Sequence, residues 1–198
     1  MTLPNKLTLG RLALTPVYFV LFFVVVKNQF YPIVGIIILW ILFIVIEVTD
    51  VLDGHIARSR NLVSDVGKLM DPFADVIARL TYFICFYSIG LMPLWALIII
   101  VWREYSIGFI RTLTAKEGTA LAASIWGKLK AVTYFVSGVL AHMVITTNLF
   151  IDDYSYKAIV DNVLYAVFAL AALSSFFSFL AYLKSYTKTD THKKFMSE

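Results

Sequence analysis

Asp50 and Asp53 lie about one helical turn apart, as do Asp71 and Asp75, in a chain that is otherwise 60% hydrophobic. Carboxylates grouped in this way repel one another unless cations sit between them. With no His or Cys in the set, hard oxygen ligands favour Mg²⁺ or Mn²⁺ over zinc. Two such ions can clamp a pyrophosphate, neutralise a leaving phosphate and orient an attacking oxygen. The neighbours suit that chemistry. Gly54 and Gly67 remove side chains where a ligand or a second backbone must come close. Arg58 offers a bidentate partner for phosphate, and Pro72 is expected to kink or open the helix next to Asp71.

These residues need helices to aim them. At about 100° per residue, Asp50, Asp53, Gly54, Ala57 and Arg58 share one stripe, and Gly67, Asp71 and Asp75 share a second. Antiparallel packing of the two helices would let the stripes face each other and pool four carboxylates.

The solvent around these helices is expected to be lipid. Mean hydropathy is +0.82, and apolar runs near 12–27, 33–57, 66–89, 93–114, 122–148 and 155–183 are long enough to cross a bilayer. The fold class is therefore an all-α integral membrane protein of six transmembrane helices (12–185). A short amphipathic interfacial helix (1–11), with Leu3, Leu7 and Leu14 at helical spacing, precedes them, and a basic cytosolic tail (186–198) follows. Lys and Arg crowd one side: Lys6, Arg11, Arg58, Arg60, Lys68, Arg103, Arg111, Lys116, Lys128, Lys130, Lys184, Lys188, Lys193 and Lys194, against Lys27 and Lys157 on the other. That side should be cytoplasmic, and the acidic cluster shares it. The basic residues do not form the aromatic-interleaved array of a nucleic-acid binder, and the single cysteine, Cys85, reads as core packing.

Several other residues have two readings. Asn5, Thr8 and Arg11 share a helix face; they either orient the interfacial helix, the simpler view, or touch a nucleotide or its phosphates. Glu47 is either a protonated or hydrogen-bonded span residue or an accessory to the metal site. Asp65 reads as a solvated loop residue, His55 is unconstrained, and His142, alone in an apolar span, is expected to hydrogen-bond a neighbouring helix.

The pattern Asp50-x-x-Asp53-Gly54-x-x-Ala57-Arg58, followed by Gly67-x-x-x-Asp71-x-x-x-Asp75, resembles the signature of the CDP-alcohol phosphotransferases. The resemblance implies a six-span, commonly dimeric fold, and displacement of CMP from a CDP-linked lipid by an alcohol. It assigns Asp50, Asp53, Asp71 and Asp75 to a divalent-metal site of two ions, with Asp75 as the base. Asp50, Gly54, Ala57, Arg58, Gly67 and Asp71 would line the cytidine diphosphate pocket. The segments LPNKLTLGRLALTP and REYSIGFIRTLTAKEGTALAASIWGKLKAV are further similar to bacterial phosphatidylglycerophosphate synthases, with Arg103, Glu104, Arg111, Gly127, Lys128 and Lys130 in matching order. The implied substrates are CDP-diacylglycerol and sn-glycerol 3-phosphate, in the cytoplasmic membrane of a bacterium.

A phosphorylated acceptor needs a second anion pocket, and Arg103, Arg111, Lys128 and Lys130 are the candidates. One departure is Val76, where those relatives carry Lys; Arg79, one turn later, could supply the cation by pairing with Asp75, or could mark a different acceptor, such as phosphatidylglycerol in cardiolipin formation, serine or inositol phosphate. A reading from another class, a divalent cation transporter, predicts acids spread across the bilayer instead of gathered at one end.

Overall fold

The computed structural model describes residues 2–59, 65–116, 125–151 and 155–189. Arg60, Glu117, Gly118, Asp152, Asp153, Lys193 and Lys194 fall outside them, as does most of the expected tail. Among the described residues every regular element is helical: α1 (Leu3–Phe22), which ends in a π-helical turn (Phe23–Lys27), α2 (Pro32–Ser59), α3 (Asp65–Ser88), α4 (Leu94–Lys116), α5 (Ile125–Phe150) and α6 (Lys157–Tyr186). They form two compact units, one of residues 1–89 with 142–154, the other of 90–141 with 155–198.

In the first unit, α1 runs unbroken from Leu3, with Pro4 in its first turn, where a missing N–H costs nothing. The sequence reading expects a junction near residue 11, but the backbone continues through it. The reason lies in one stripe. Pro4, Thr8, Arg11, Thr15, Tyr18 and Phe22 are all buried and recur in steps of four and three, so a single straight helix seats them all. On α2 the buried positions Ile36, Leu39, Phe43, Ile46 and Asp53 follow the same rhythm, and on α3 so do Ala74, Ala78, Tyr82 and Cys85. Each stripe is apolar at one end and polar at the other. α3 also continues through Pro72 without a break.

The packing corrects one expectation. α1 lies along both α2 and α3, which scarcely meet each other, so their acidic stripes face α1 and not primarily one another. At the apolar end, Tyr18 on α1 meets His142, with Oη and Nε2 3.0 Å apart, as expected for a lone histidine in a span. Phe43 packs 4.3 Å from the same imidazole, centroid to centroid, and Trp40 Nε1 donates to Thr146 Oγ1 at 2.9 Å. The π turn brings Val25 against α2 so closely that a Cβ at Gly35 would stand 2.2 Å from its Cγ2. Only glycine fits there.

The outer face of α2 is apolar and exposed, with Ile33, Val34, Ile37, Ile41, Ile44 and Val48 all turned outward. In water such a surface would be a large unpartnered patch; in hydrocarbon it is the ordinary exterior. Four stretches, Leu3–Lys27, Pro32–Gly54, Ile125–Phe150 and Lys157–Tyr186, are long and apolar enough to cross a membrane, which makes this a membrane protein with several apolar helices. α3 and α4 fall below that measure because they carry the charges, among them Asp71, Asp75 and Arg79 on one and Arg103, Glu104 and Arg111 on the other.

In the second unit α4 packs on α6, around Ile107, Ile110, Tyr182 and Tyr186. α6 buries Ala171, Ala172, Ser174, Ser175 and Ser178, small residues that allow close approach and whose hydroxyls bond across helices. Thr133 pairs with Ser174 and Tyr134 with Ser175, each at 2.8 Å.

Candidate active site

The polar ends of the three stripes in the first unit converge on Arg11. Its guanidinium is 1% exposed. Nη1 donates to Asp50 Oδ1 at 2.8 Å and also to Asp75 Oδ1, while Nη2 donates to Asp53 Oδ2. Thr8, one turn earlier, has its hydroxyl 2.7 Å from Asp71 Oδ1 and 3.2 Å from Asp53 Oδ2; its single proton also has the Pro4 carbonyl within 3.1 Å and serves one acceptor at a time. Asp50, Asp53, Asp71 and Asp75 therefore gather around one small patch of α1.

Arg79 completes the cluster. It donates from Nη2 to Asp50 Oδ2 at 3.1 Å, reaching across to α2, a partner that spacing along α3 alone does not suggest. The two guanidiniums offset half of the carboxylate charge. Exposure divides the set: Asp53 is sealed at 2%, whereas the Asp50 and Asp75 side chains keep 24% and 26%. A ligand from outside meets Asp50 and Asp75 first.

The donor set is all oxygen, and the chain itself stations a cation among these carboxylates, so the residues fit a hard divalent ion. No three acidic, His or Cys side chains among the described residues form a ready-made ion cage; the guanidinium of Arg11 stands between them. Of the residues assigned to the nucleotide, Gly54 is half-buried on α2 and Gly67 is buried on α3. The side chains of Ala57, Arg58, His55 and Asp65 lie outside the description.

Thr8 and Arg11 join the aspartate cluster, which the simpler sequence reading of them passed over. The signal was present in the spacing. Thr8 and Arg11 continue the helical stripe of Tyr18 and Phe22, and a polar pair on a core stripe needs partners.

The second unit holds the basic residues. Arg103 donates from Nη1 to Glu104 Oε2 at 2.8 Å and from Nη2 to Ser178 Oγ at 2.9 Å. Lys130 donates to the other Glu104 oxygen at 2.7 Å and stands 4.7 Å over the Tyr134 ring. Both cations are buried and share the Glu104 carboxylate. Arg111 and Lys128 are outside this network and exposed; the Arg111 guanidinium lies 5.8 Å over Tyr182. The structure thus joins Arg103 to Lys130 through Glu104 and leaves Arg111 and Lys128 facing outward. Arg103 also borders a cavity of about 350 Å³ walled by Ile99, Trp102, Ser106, Phe176 and Phe179.

Residues 1–174 match the family model described as CDP-alcohol phosphatidyltransferase. The chain is 36% identical over 144 residues, 71% of its own length and 67% of the relative's, to the CDP-diacylglycerol–glycerol-3-phosphate 3-phosphatidyltransferase of Treponema pallidum. It is 35% identical over 149 residues, 71% of its length and 77% of the relative's, to the enzyme of the same name from Bacillus subtilis. The matched residues take in α1 to α5, the first part of α6 and the positions of all four aspartates, and the chain belongs to the CDP-alcohol phosphatidyltransferase family.

Proposed function

We propose that this protein transfers the phosphatidyl group of CDP-diacylglycerol to sn-glycerol 3-phosphate, forming phosphatidylglycerophosphate and CMP. The observation that carries the reading is the convergence of Asp50, Asp53, Asp71 and Asp75 from two helices on one patch of a third. The two relatives above bear this activity in their names, and the reading extends it to this chain.

In this reading Asp50, Asp53, Asp71 and Asp75 hold Mg²⁺ or Mn²⁺, two ions in all, and the bound metal neutralises the diphosphate and its departing half. Asp75, accessible and at the rim of the cluster, accepts the proton of the attacking glycerol hydroxyl. That oxygen forms a bond to the phosphorus nearer the diacylglycerol. The phosphoanhydride bond breaks, and CMP leaves with the electron pair. Gly54, Ala57, Arg58 and Gly67 receive the cytidine diphosphate. Arg103, Arg111, Lys128 and Lys130 bind the acceptor's phosphate, with the exposed Arg111 and Lys128 making first contact. Glu104 holds Arg103 and Lys130 in place.

All six helices span the membrane in this reading. From Leu3 to Lys27 the first span has 25 residues, about 37 Å of helix, against roughly 30 Å of hydrocarbon. The excess of about 7 Å is about five residues, so Leu3 to Leu7 reach the headgroup layer and Thr8 and Arg11 follow within the next turn, with residues 1–11 acting at the interface without being a separate helix. The positive-inside bias puts that end on the cytoplasmic face of a bacterial inner membrane. The tail from 186 lies in the cytosol, and the family habit suggests a homodimer.

The test is an acceptor panel. Protein purified in detergent with Mg²⁺ or Mn²⁺ should release CMP only when CDP-diacylglycerol and glycerol 3-phosphate are both present. Comparable turnover with serine, inositol phosphate or phosphatidylglycerol would overturn the acceptor and leave the mechanism.

A further inference from the structure

We infer that Arg11 is a resident counter-cation that a divalent ion must displace, so that this one side chain sets how tightly the carboxylates hold metal. The inference rests on the metal reading above and goes beyond it by giving the site a built-in competitor.

Three of the four carboxylates, Asp50, Asp53 and Asp75, accept hydrogen bonds from the one guanidinium. An ion shared by the same oxygens would have to stand where the guanidinium stands. Both cannot be there, because a planar cation with its own donors fills the space between the acids and repels a second positive charge. Arg11 is also an imperfect occupant. Its Nε is buried and has no hydrogen-bond partner among the described residues, so the fork supplies charge to the carboxylates while one of its own donors goes unmet. Thr8 is coupled to the exchange, since its hydroxyl shares Asp53 with Arg11 and is the α1 contact of Asp71.

Such an arrangement has a use. Without the guanidinium, four carboxylates at the end of a buried stripe would repel one another, and the metal-free protein would be strained where α1, α2 and α3 meet. With it, the helices are held in register until metal arrives. The exchange also lowers the apparent affinity for metal, because binding must first break the ion pairs of Arg11.

The experiment is a Mn²⁺ titration of the full-length protein in detergent, read by the EPR signal of free Mn²⁺, for the unaltered chain, Arg11→Gln and Arg11→Lys. Arg11→Gln should bind Mn²⁺ at least tenfold more tightly, and Arg11→Lys, which keeps the charge, should stay within threefold of the unaltered protein. Equal or weaker binding by Arg11→Gln, or equal tightening by both variants, would overturn the inference while leaving the metal site intact. Absence of Mn²⁺ binding by all three proteins would remove the metal reading itself. A second measurement needs no variant: phenylglyoxal modification of Arg11, followed by peptide mass spectrometry. Arg11 should be protected in chelator and react severalfold faster with Mn²⁺, and a rate unchanged by Mn²⁺ would contradict the exchange.

Discussion

The two units solve opposite electrostatic problems with the same few side-chain types. In the first, the carboxylates of Asp50, Asp53 and Asp75 crowd around the single guanidinium of Arg11. In the second, two cations, Arg103 and Lys130, crowd around the single carboxylate of Glu104. Each cluster is centred on a buried charged group, Arg11 in one and Glu104 in the other. A buried charge is costly unless it is paired. The first cluster gathers carboxylates and the second gathers cations, and the proposed transfer assigns metal to the one and the acceptor's phosphate to the other.

The largest expected effect breaks the anionic cluster at its rim. Asp75→Asn should lower kcat by about 10²–10⁴-fold, the usual worth of a positioned base, with cytidine diphosphate binding largely retained in an equilibrium assay. Asp50→Asn should weaken Mn²⁺ binding more than Asp75→Asn does, so the pair weighs metal holding against proton transfer. If Asp75→Asn remains active, the base is elsewhere.

Next comes the cationic cluster. Glu104→Gln removes the carboxylate that meets both Arg103 and Lys130, and should destabilise the protein by about 3–5 kcal/mol, the usual effect of breaking a buried pair from one side. Thermal unfolding in detergent measures this, and an unchanged Tm would mean that water already reaches those cations.

Arg111→Ala sharpens the contrast without disturbing either buried cluster. It should raise the KM for glycerol 3-phosphate roughly tenfold or more, as expected for loss of one charge-assisted hydrogen bond of about 1.5–3 kcal/mol, and leave the KM for CDP-diacylglycerol within about twofold of its starting value. An equal rise in both would place Arg111 in general lipid contact.

The smallest effect tests the other end of the α1 stripe. Tyr18→Phe removes the hydroxyl that meets His142 and should cost about 0.5–1.5 kcal/mol of stability, with CMP release essentially unchanged. A large loss of activity would mean that the apolar and polar ends of the stripe are coupled.

Much of this was legible in the sequence because helical spacing is a strong signal. Asp50 with Asp53, and Asp71 with Asp75, had to project from common faces, and the apolar runs had to be helices. The role of α1 was harder to read. A basic residue near the start of a first span is already accounted for by membrane orientation, so Arg11 carried no surplus signal of its own. Its burial follows from tertiary packing, with α1 lying along both α2 and α3, and periodicity within one helix cannot show which helix lies beside it. Arg79 teaches the same lesson. Spacing along α3 offered Asp75, whereas the fold also brings it to Asp50 on α2. For Glu104, adjacency to Arg103 hid its reach to Lys130 on α5.

The central claim is that the carboxylates of α2 and α3 hold divalent ions that the transfer cannot do without. The direct test is CMP release from chelator-stripped protein supplied with CDP-diacylglycerol and glycerol 3-phosphate, titrated with Mg²⁺. The account predicts no release without the ion, and release that rises with Mg²⁺ and saturates. Full turnover in excess chelator would contradict it.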